Sequence, residues 1–326
     1  MGATWDPSLV HAVTHSMADE ARALYNSGAE GPRGKHDLVF RSPVINISRD
    51  PRWGRIQEVF SEDPFLTGRM AVAYVPGLQG NDPRYLEVAA TVKHFAVNNV
   101  ETNRIRLSAP VDERNLIEYW LPHWKDAIME AHAQSVMASY NAINGYPDAI
   151  NKYLLTDILR GQWGFEGFVT DDLGGVAHLI DGHQITEDPV EATALAIQAG
   201  CDSDDPEFEK NIPLAVNSGR LSMADVDRAL TRVLRVGFRL GASDPPEMNS
   251  HSKIATSVIR SSEHLQLSLQ TAIESMTLLA ALAAAHAALT ATKTQKDAPA
   301  FKLELIELVQ DAQTINSFYT SLSTKK

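Results

Sequence analysis

The chain carries a single cysteine, Cys201, in 326 residues. That excludes an internal disulfide and a cysteine-rich zinc site. It leaves the compartment open, because exported proteins without disulfides exist. Positive charge is also short: 29 Lys and Arg stand against 41 Asp and Glu, for a formal charge of −12. A net-acidic surface repels phosphate backbones and anionic lipid, so neither nucleic acid nor a membrane is expected as a partner. Met1-Gly2-Ala3-Thr4-Trp5 has no basic start and no apolar run, so no signal peptide is expected in this stretch. Long apolar runs are missing apart from 276–291, which is Ala-rich and interrupted by His286. It falls short of the about 20 strongly apolar residues that a span needs, and a soluble helix is expected there.

What is present is alternation. Apolar, strand-like runs occur at Leu38–Ile47, Val88–Ala96, Ser135–Tyr140 and Gly167–Asp171, with a weaker one near Gly200–Ser203. Between and around them lie helical patterns at Leu9–Tyr25, Pro64–Leu78, Glu113–Ala131, Lys152–Trp163, Pro189–Gln198 and Met223–Leu240. Strands alternating with helices predict a parallel sheet, open or closed. The strands are apolar throughout, as expected when both faces are buried. Hydrophobic residues make up 44% of the chain, enough for one large core or two modest ones. The alternation yields about five strand–helix units, whereas a complete (β/α)8 barrel needs eight. A helical pattern that begins just after Trp5-Asp6-Pro7-Ser8 reads as the middle of such a fold, with its front missing.

The segment richest in chemical meaning is Gly167-Phe168-Val169-Thr170-Asp171-Asp172-Leu173-Gly174-Gly175. β-Branched and aromatic residues favour a strand, and the glycines allow a tight turn that leaves two carboxylates accessible. Carboxylates at the C-terminal tip of a parallel strand are where barrel enzymes keep their chemistry. Adjacent acids also cap helices or bind cations, and this segment alone leaves those readings open. Three further polar clusters follow strands: Arg49-Asp50-Pro51-Arg52-Trp53-Gly54-Arg55, Lys93-His94-Phe95 with Glu101-Thr102-Asn103-Arg104, and Met137-Ala138-Ser139-Tyr140-Asn141. Guanidinium, ammonium, imidazole and phenol groups are donors, which suits a ligand made mostly of hydroxyls, such as a sugar. Four such clusters in order point to a small-molecule site.

Those clusters, together with Ser42-Pro43-Val44-Ile45-Asn46-Ile47-Ser48, Glu62-Asp63-Pro64, Ala199-Gly200-Cys201-Asp202 and Asp244-Pro245-Pro246-Glu247-Met248-Asn249, resemble glycoside hydrolase family 3. The likeness runs from about Ala3 to about Leu279 and rests on several uncommon motifs in the right order. It implies a TIM-barrel-type α/β fold, incomplete at the N-terminus, with a barrel domain over 1–242. It also implies a linker over 243–281 that resembles the lead-in to the family's second domain, and leaves a divergent, mostly helical tail over 282–326. Within that tail Phe301–Val309 has the pattern of a short amphipathic helix.

The resemblance also implies an activity, that of a retaining β-glucosidase or β-xylosidase acting on β-linked gluco- or xylo-oligosaccharides without metal or organic cofactor. Family nucleophiles lie in segments like Gly-Phe-Val-Val-Ser-Asp, which places the role on Asp172, with Asp171 where Ser is usual. Arg55, Lys93, His94, Arg104 and Tyr140 match positions that hold the sugar beside the nucleophile, and Tyr140 is expected to help orient Asp172. Lys93 and the arginines would favour a charged carboxylate by proximity. Leu173 stands where many members carry a Trp that stacks on the sugar. Lys93-His94-Phe95-Ala96 lacks the glycines of the N-acetylglucosaminidase branch, which argues against that substrate. Two departures matter. The family's early Asp-Gly-Pro segment has no counterpart here, and Leu278-Leu279-Ala280-Ala281 replaces the usual Leu-Leu-Lys-Asn. The acid/base usually comes from the second domain, so none is nominated. The expected protein partner is a complementing chain or a homo-oligomer that completes a glycosidase crippled on its own; the alternative expectation is a truncated remnant that at most binds sugar.

Overall fold

The computed structural model describes residues 1–276 except 32, 33, 36 and 205. The tail expectations for 282–326, including Phe301–Val309, lie outside the described residues. Residues 1–275 form one compact unit.

Helix starts are written into the sequence as Asp-Pro pairs. Asp6, Asp63 and Asp188 accept backbone N–H bonds at the starts of helices α1 (Pro7–Asn26), α2 (Pro64–Gln79) and α4 (Pro189–Ala199). In each case proline occupies the first helical position, where its missing N–H costs nothing. Between them lies α3 (Pro122–Met129), and beyond them come α5 (Glu207–Asn217), α6 (Met223–Arg239) and α7 (Ser262–Glu274). Ser222 and Asp225 close a reciprocal capping box on α6.

The main sheet is built from β1 (Val39–Phe40), β2 (Ala89–Phe95), β3 (Ser135–Ala138) and β4 (Phe168–Asp171), paired in chain order and all parallel, with two small sheets of two-residue strands beside it in the described residues. Ser203 bridges Thr170 in parallel, which places the weak Gly200–Ser203 run at the next position along the sheet. Chain-order parallel pairing brings the C-terminal ends of all these strands to one face. Residues of β2, β3 and β4 are almost wholly buried, and those of β1 are half-buried. Phe95 packs edge-on against Trp124 of α3 with ring centroids 5.1 Å apart, a contact worth about 0.5–1.5 kcal/mol beyond the area it buries.

The structure corrects the sequence reading in three places. The Leu38–Ile47 run pairs only at Val39–Phe40, resuming as a single bridge from Val44 to Lys93. Pro43 between them has no N–H to give a ladder. The single helix expected over Glu113–Ala131 is broken at Leu121, with a π-wound turn at Leu116–Trp120 before α3. Pro122 cannot donate to the preceding turn, so the α-helical ladder restarts there. Helix α5 had no strong sequence signal, because Pro206 precedes it and Pro213 lies inside it. Among the described residues no helix is long and apolar enough to cross a membrane.

Helices α1 and α2 cross at Gly77. A Cβ there would overlap Thr14 Oγ1 and lie 2.6 Å from the His11 carbonyl oxygen. Thr14 cannot swing aside, since its hydroxyl donates to the Val10 and His11 carbonyls. Gly77→Ala is expected to destabilise by about 1–3 kcal/mol through overpacking. Urea denaturation measures this directly, and an unchanged midpoint would show that the crossing can spread.

Candidate active site

The strand ends deliver the predicted residues to one place. Lys93 and His94 come from the end of β2, Tyr140 from just past β3, Asp172 from just past β4, and Arg55 and Arg104 from the loops following the first two strands.

His94 is the hinge of the cluster and only 1% exposed. Its backbone N–H donates to Asn46 Oδ1 at 2.7 Å, and Nδ1 lies 3.2 Å from the same oxygen. Asn46 Nδ2 in turn donates to the His94 and Ala96 carbonyls at 2.8 and 3.2 Å. Arg55 Nη1, which can only donate, sits 3.1 Å from His94 Nε2. Nε2 must therefore accept and Nδ1 must carry the hydrogen, so the network assigns one neutral tautomer. Burial, aided by the Arg55, Lys93 and Arg104 charges, pushes the imidazole pKa down to about 2. The 3.6 Å approach of Nε2 to Asp172 Oδ2 is thus a contact between a neutral ring and a carboxylate, not an ion pair. Folded-state depression from 6.5 means that the stability linked to this ring is complete above pH 6.5 and is lost as the pH falls toward 2. We expect the His94 ring resonances to stay flat between pH 8 and 4 in NMR titration. An inflection near pH 6 would overturn the assignment.

Arg55 is clamped by Glu58 through two bonds, Nε to Oε1 at 2.8 Å and Nη2 to Oε2 at 2.7 Å. The bidentate fork leaves Nη1 aimed at His94. Arg55 and Lys93 both act electrostatically on Asp172. Burial lowers the Lys93 pKa, with Asp172 opposing that shift. Arg104 stacks over the Tyr140 ring, 4.5 Å from its centroid, and Glu101 holds it at 2.8 Å while accepting from Trp53 Nε1 at 3.0 Å. The Tyr140 hydroxyl donates to the Leu173 carbonyl at 2.7 Å. It steadies the turn after Asp172, and its hydrogen bond goes to the backbone, not to the carboxylate. Burial, then the Asp172 charge, pushes the phenol up to about 12.

The two adjacent acids part company. Asp171 is 1% exposed, its Oδ1 accepts the Asp172 N–H at 3.0 Å, and its Oδ2 has no hydrogen-bond partner. Burial, with the charges of Asp204 and Asp172, holds this carboxyl well above the usual range. Gly175 lies directly against it, leaving no room for even a methyl group. The Asp172 side chain is 15% exposed and faces the cationic cluster. A cleft of about 360 Å3 lined by Arg41, Glu58, Tyr74 and Lys93 shares Lys93 and Glu58 with this cluster. A larger one of about 620 Å3, around Arg49, Asp112 and Trp120, holds none of the six predicted residues. Asn46 and Glu58 were not singled out as site residues from sequence. The Arg55–Glu58 spacing of three was the available signal for Glu58, and nothing local marks Asn46.

The profile of the glycosyl hydrolase family 3 N terminal domain matches residues 1–236. The chain belongs to this family. Among its relatives, β-D-xylosidase 3 of Arabidopsis thaliana is 37% identical over 250 residues, covering 74% of this chain and 32% of that protein. A probable exo-1,4-β-xylosidase of Aspergillus clavatus is 35% identical, covering 86% and 37%. The structure superposes on a GH3 exo-β-xylosidase solved with a xylobiose aziridine probe at TM-score 0.79 and 30% identity, over 84% of this chain and 36% of that one. A β-glucosidase from Listeria innocua solved with glucose gives 0.74 at 31% identity, over 84% and 37%. The chain thus spans about a third of the length of these family 3 proteins. Its α/β architecture is the TIM-barrel type of the family's N-terminal domain, as the sequence led one to expect.

Proposed function

We propose that this chain carries the nucleophile and the sugar-gripping donors of a retaining β-glycosidase acting on β-linked gluco- or xylo-oligosaccharides. The observation that supports it best is the division between the acids: Asp171 is sealed under Gly175, while Asp172 opens onto Arg55, Lys93 and His94. Asp172 attacks the anomeric carbon and forms an ester bond as the glycosidic C–O bond breaks, through an oxocarbenium-like transition state. Water then cleaves the ester, releasing the sugar with retained configuration and returning the carboxylate. Arg55, Lys93, Arg104 and neutral His94 grip sugar hydroxyls, and they accelerate the reaction insofar as they bind the transition state more tightly than the ground state. An alkoxide leaving group needs a proton from a general acid, help typically worth about 10²–10⁴-fold, whereas a dinitrophenolate leaves unaided.

The test is intact mass after incubation with 2-deoxy-2-fluoro glucosides and xylosides bearing dinitrophenyl groups. A one-sugar increase mapped to Asp172 is expected, and the sugar that reacts identifies the glycone. No adduct in a sample folded by circular dichroism would overturn the proposal in favour of a domain that at most binds sugar.

A further inference from the structure

At the opposite end of β2, roughly 20 Å from His94 along a strand of this length, a second polar cluster surrounds Glu87. His15 and Asp19 stand four residues apart on α1, one turn of the same face. One ligand atom from each of His15, Asp19 and Glu87 lies within 4.8 Å of the other two. His251, from the segment after α6, adds a second imidazole: His15 Nδ1 and His251 Nδ1 each lie 3.7 Å from Glu87 Oε2.

Glu87 is 1% exposed, and its Oε1 is buried with no hydrogen-bond partner. His251 Nε2 is likewise buried and unpartnered. The Asp19 carboxyl lies against Glu87. Two carboxyl groups held side by side favour a proton or a cation between them. Arg22 is close, but its N–H groups go to the main-chain carbonyls of Leu86, Glu87 and Leu240. Gly80 keeps the enclosure tight, since a Cβ there would lie 3.2 Å from Glu87 Oε2 and 3.3 Å from His251 Cε1.

We infer that His15, Asp19, Glu87 and His251 form a zinc site that ties the chain after α6 to the base of the barrel. Two imidazoles and two carboxylates are a donor set suited to Zn²⁺. In a tetrahedron with bonds of about 2.1 Å the ligand atoms stand about 3.4 Å apart; the two 3.7 Å separations approach that edge, the His15–Asp19–Glu87 atoms lie within 4.8 Å of one another, and His251 has to close on that group when the ion enters. The segment is held there independently by Asn26 Nδ2, which donates to the His251 and Ile254 carbonyls. His15, half-exposed on its side chain, leaves an entry path. The site is independent of the sugar chemistry.

The test uses the whole chain stripped with a chelator and titrated with Zn²⁺ by calorimetry and equilibrium dialysis. One Zn²⁺ per chain is expected, with a rise in melting temperature of several degrees. Co²⁺ in its place should give the intense visible bands of a four-coordinate ion. Glu87→Gln and His251→Ala should each weaken binding by at least about 100-fold, as losing a ligand costs no less than losing its support. The exposed His15→Ala variant gives the same reading with little risk to folding. Absence of stoichiometric binding by folded protein would overturn the inference, as would binding that all three variants leave intact.

Discussion

Asp172→Asn is expected to reduce formation of the glycosyl-enzyme from activated fluoro-glycosides by at least about 10⁴-fold, the scale on which loss of a nucleophile is felt. Asp171→Asn should stay within about tenfold of the parent. The asymmetry comes from burial. Burial holds the Asp171 carboxyl well above its usual range, so it is disposed against charge; its Oδ1 accepts the Asp172 N–H, and Asn reproduces that acceptor. Asp172 must supply a lone pair and a negative charge to the anomeric carbon, and Asn supplies neither. The pair also guards against a trivial reading, since both variants alter the same turn and one acid neighbours the other. The measurement is the rate of adduct formation by mass spectrometry, with melting curves for both variants. The reverse pattern, with Asp171→Asn dead and Asp172→Asn active, would move the nucleophile by one residue and sink the assignment.

The largest stability effect is expected at Asp202. Its carboxylate is fully buried between Arg160, at 2.5 Å, and Arg232 on α6, at 2.8 Å. The same carboxylate accepts the Val169 N–H at 2.9 Å, and Arg160 donates to the Gly167 carbonyl at 3.0 Å. The triad therefore pins β4, the strand that presents Asp172, to the helix outside it. Burial raises the Asp202 pKa despite both arginines, so desolvation is a large part of the balance. Asp202→Ala removes the only negative member and leaves two guanidinium groups in a partly dry site. Breaking such a pair costs about 3–5 kcal/mol, or a fall in melting temperature of roughly 6–20 °C for a domain of this size. Replacing all three residues by Leu or Met should recover most of the loss, because the penalty lies in the uncompensated charge rather than in a missing attraction. Calorimetry of the single and triple variants checks both statements. A single variant that melts within 2 °C of the parent would mean that water reaches the arginines.

Much of the architecture was legible because it is local. Asp-Pro pairs cap helices by geometry within a few residues, and strands buried on both faces announce themselves as unbroken apolar runs. The six predicted site residues could be collected in advance for the same reason: a chemistry-bearing cluster after each strand becomes a shared site once the strands are parallel and in order. Where the reading failed, a non-local or proline effect had intervened. Pro43 thinned the first strand, Pro122 split a helix, and α5 forms although Pro206 precedes it and Pro213 lies within it.

The sequence by itself determined the family, the order of the main-sheet strands and of most helices, and which residues converge at the carboxyl end of the sheet. The tertiary structure decided what state those residues are in. It sealed Asp171 under Gly175 with its pKa raised by burial and left Asp172 open, chose the His94 tautomer through Asn46 and Arg55, and turned the Tyr140 hydroxyl toward the Leu173 carbonyl. Protonation and hydrogen-bond direction depend on desolvation and on charges brought in from distant parts of the chain. No window of sequence around a residue contains them.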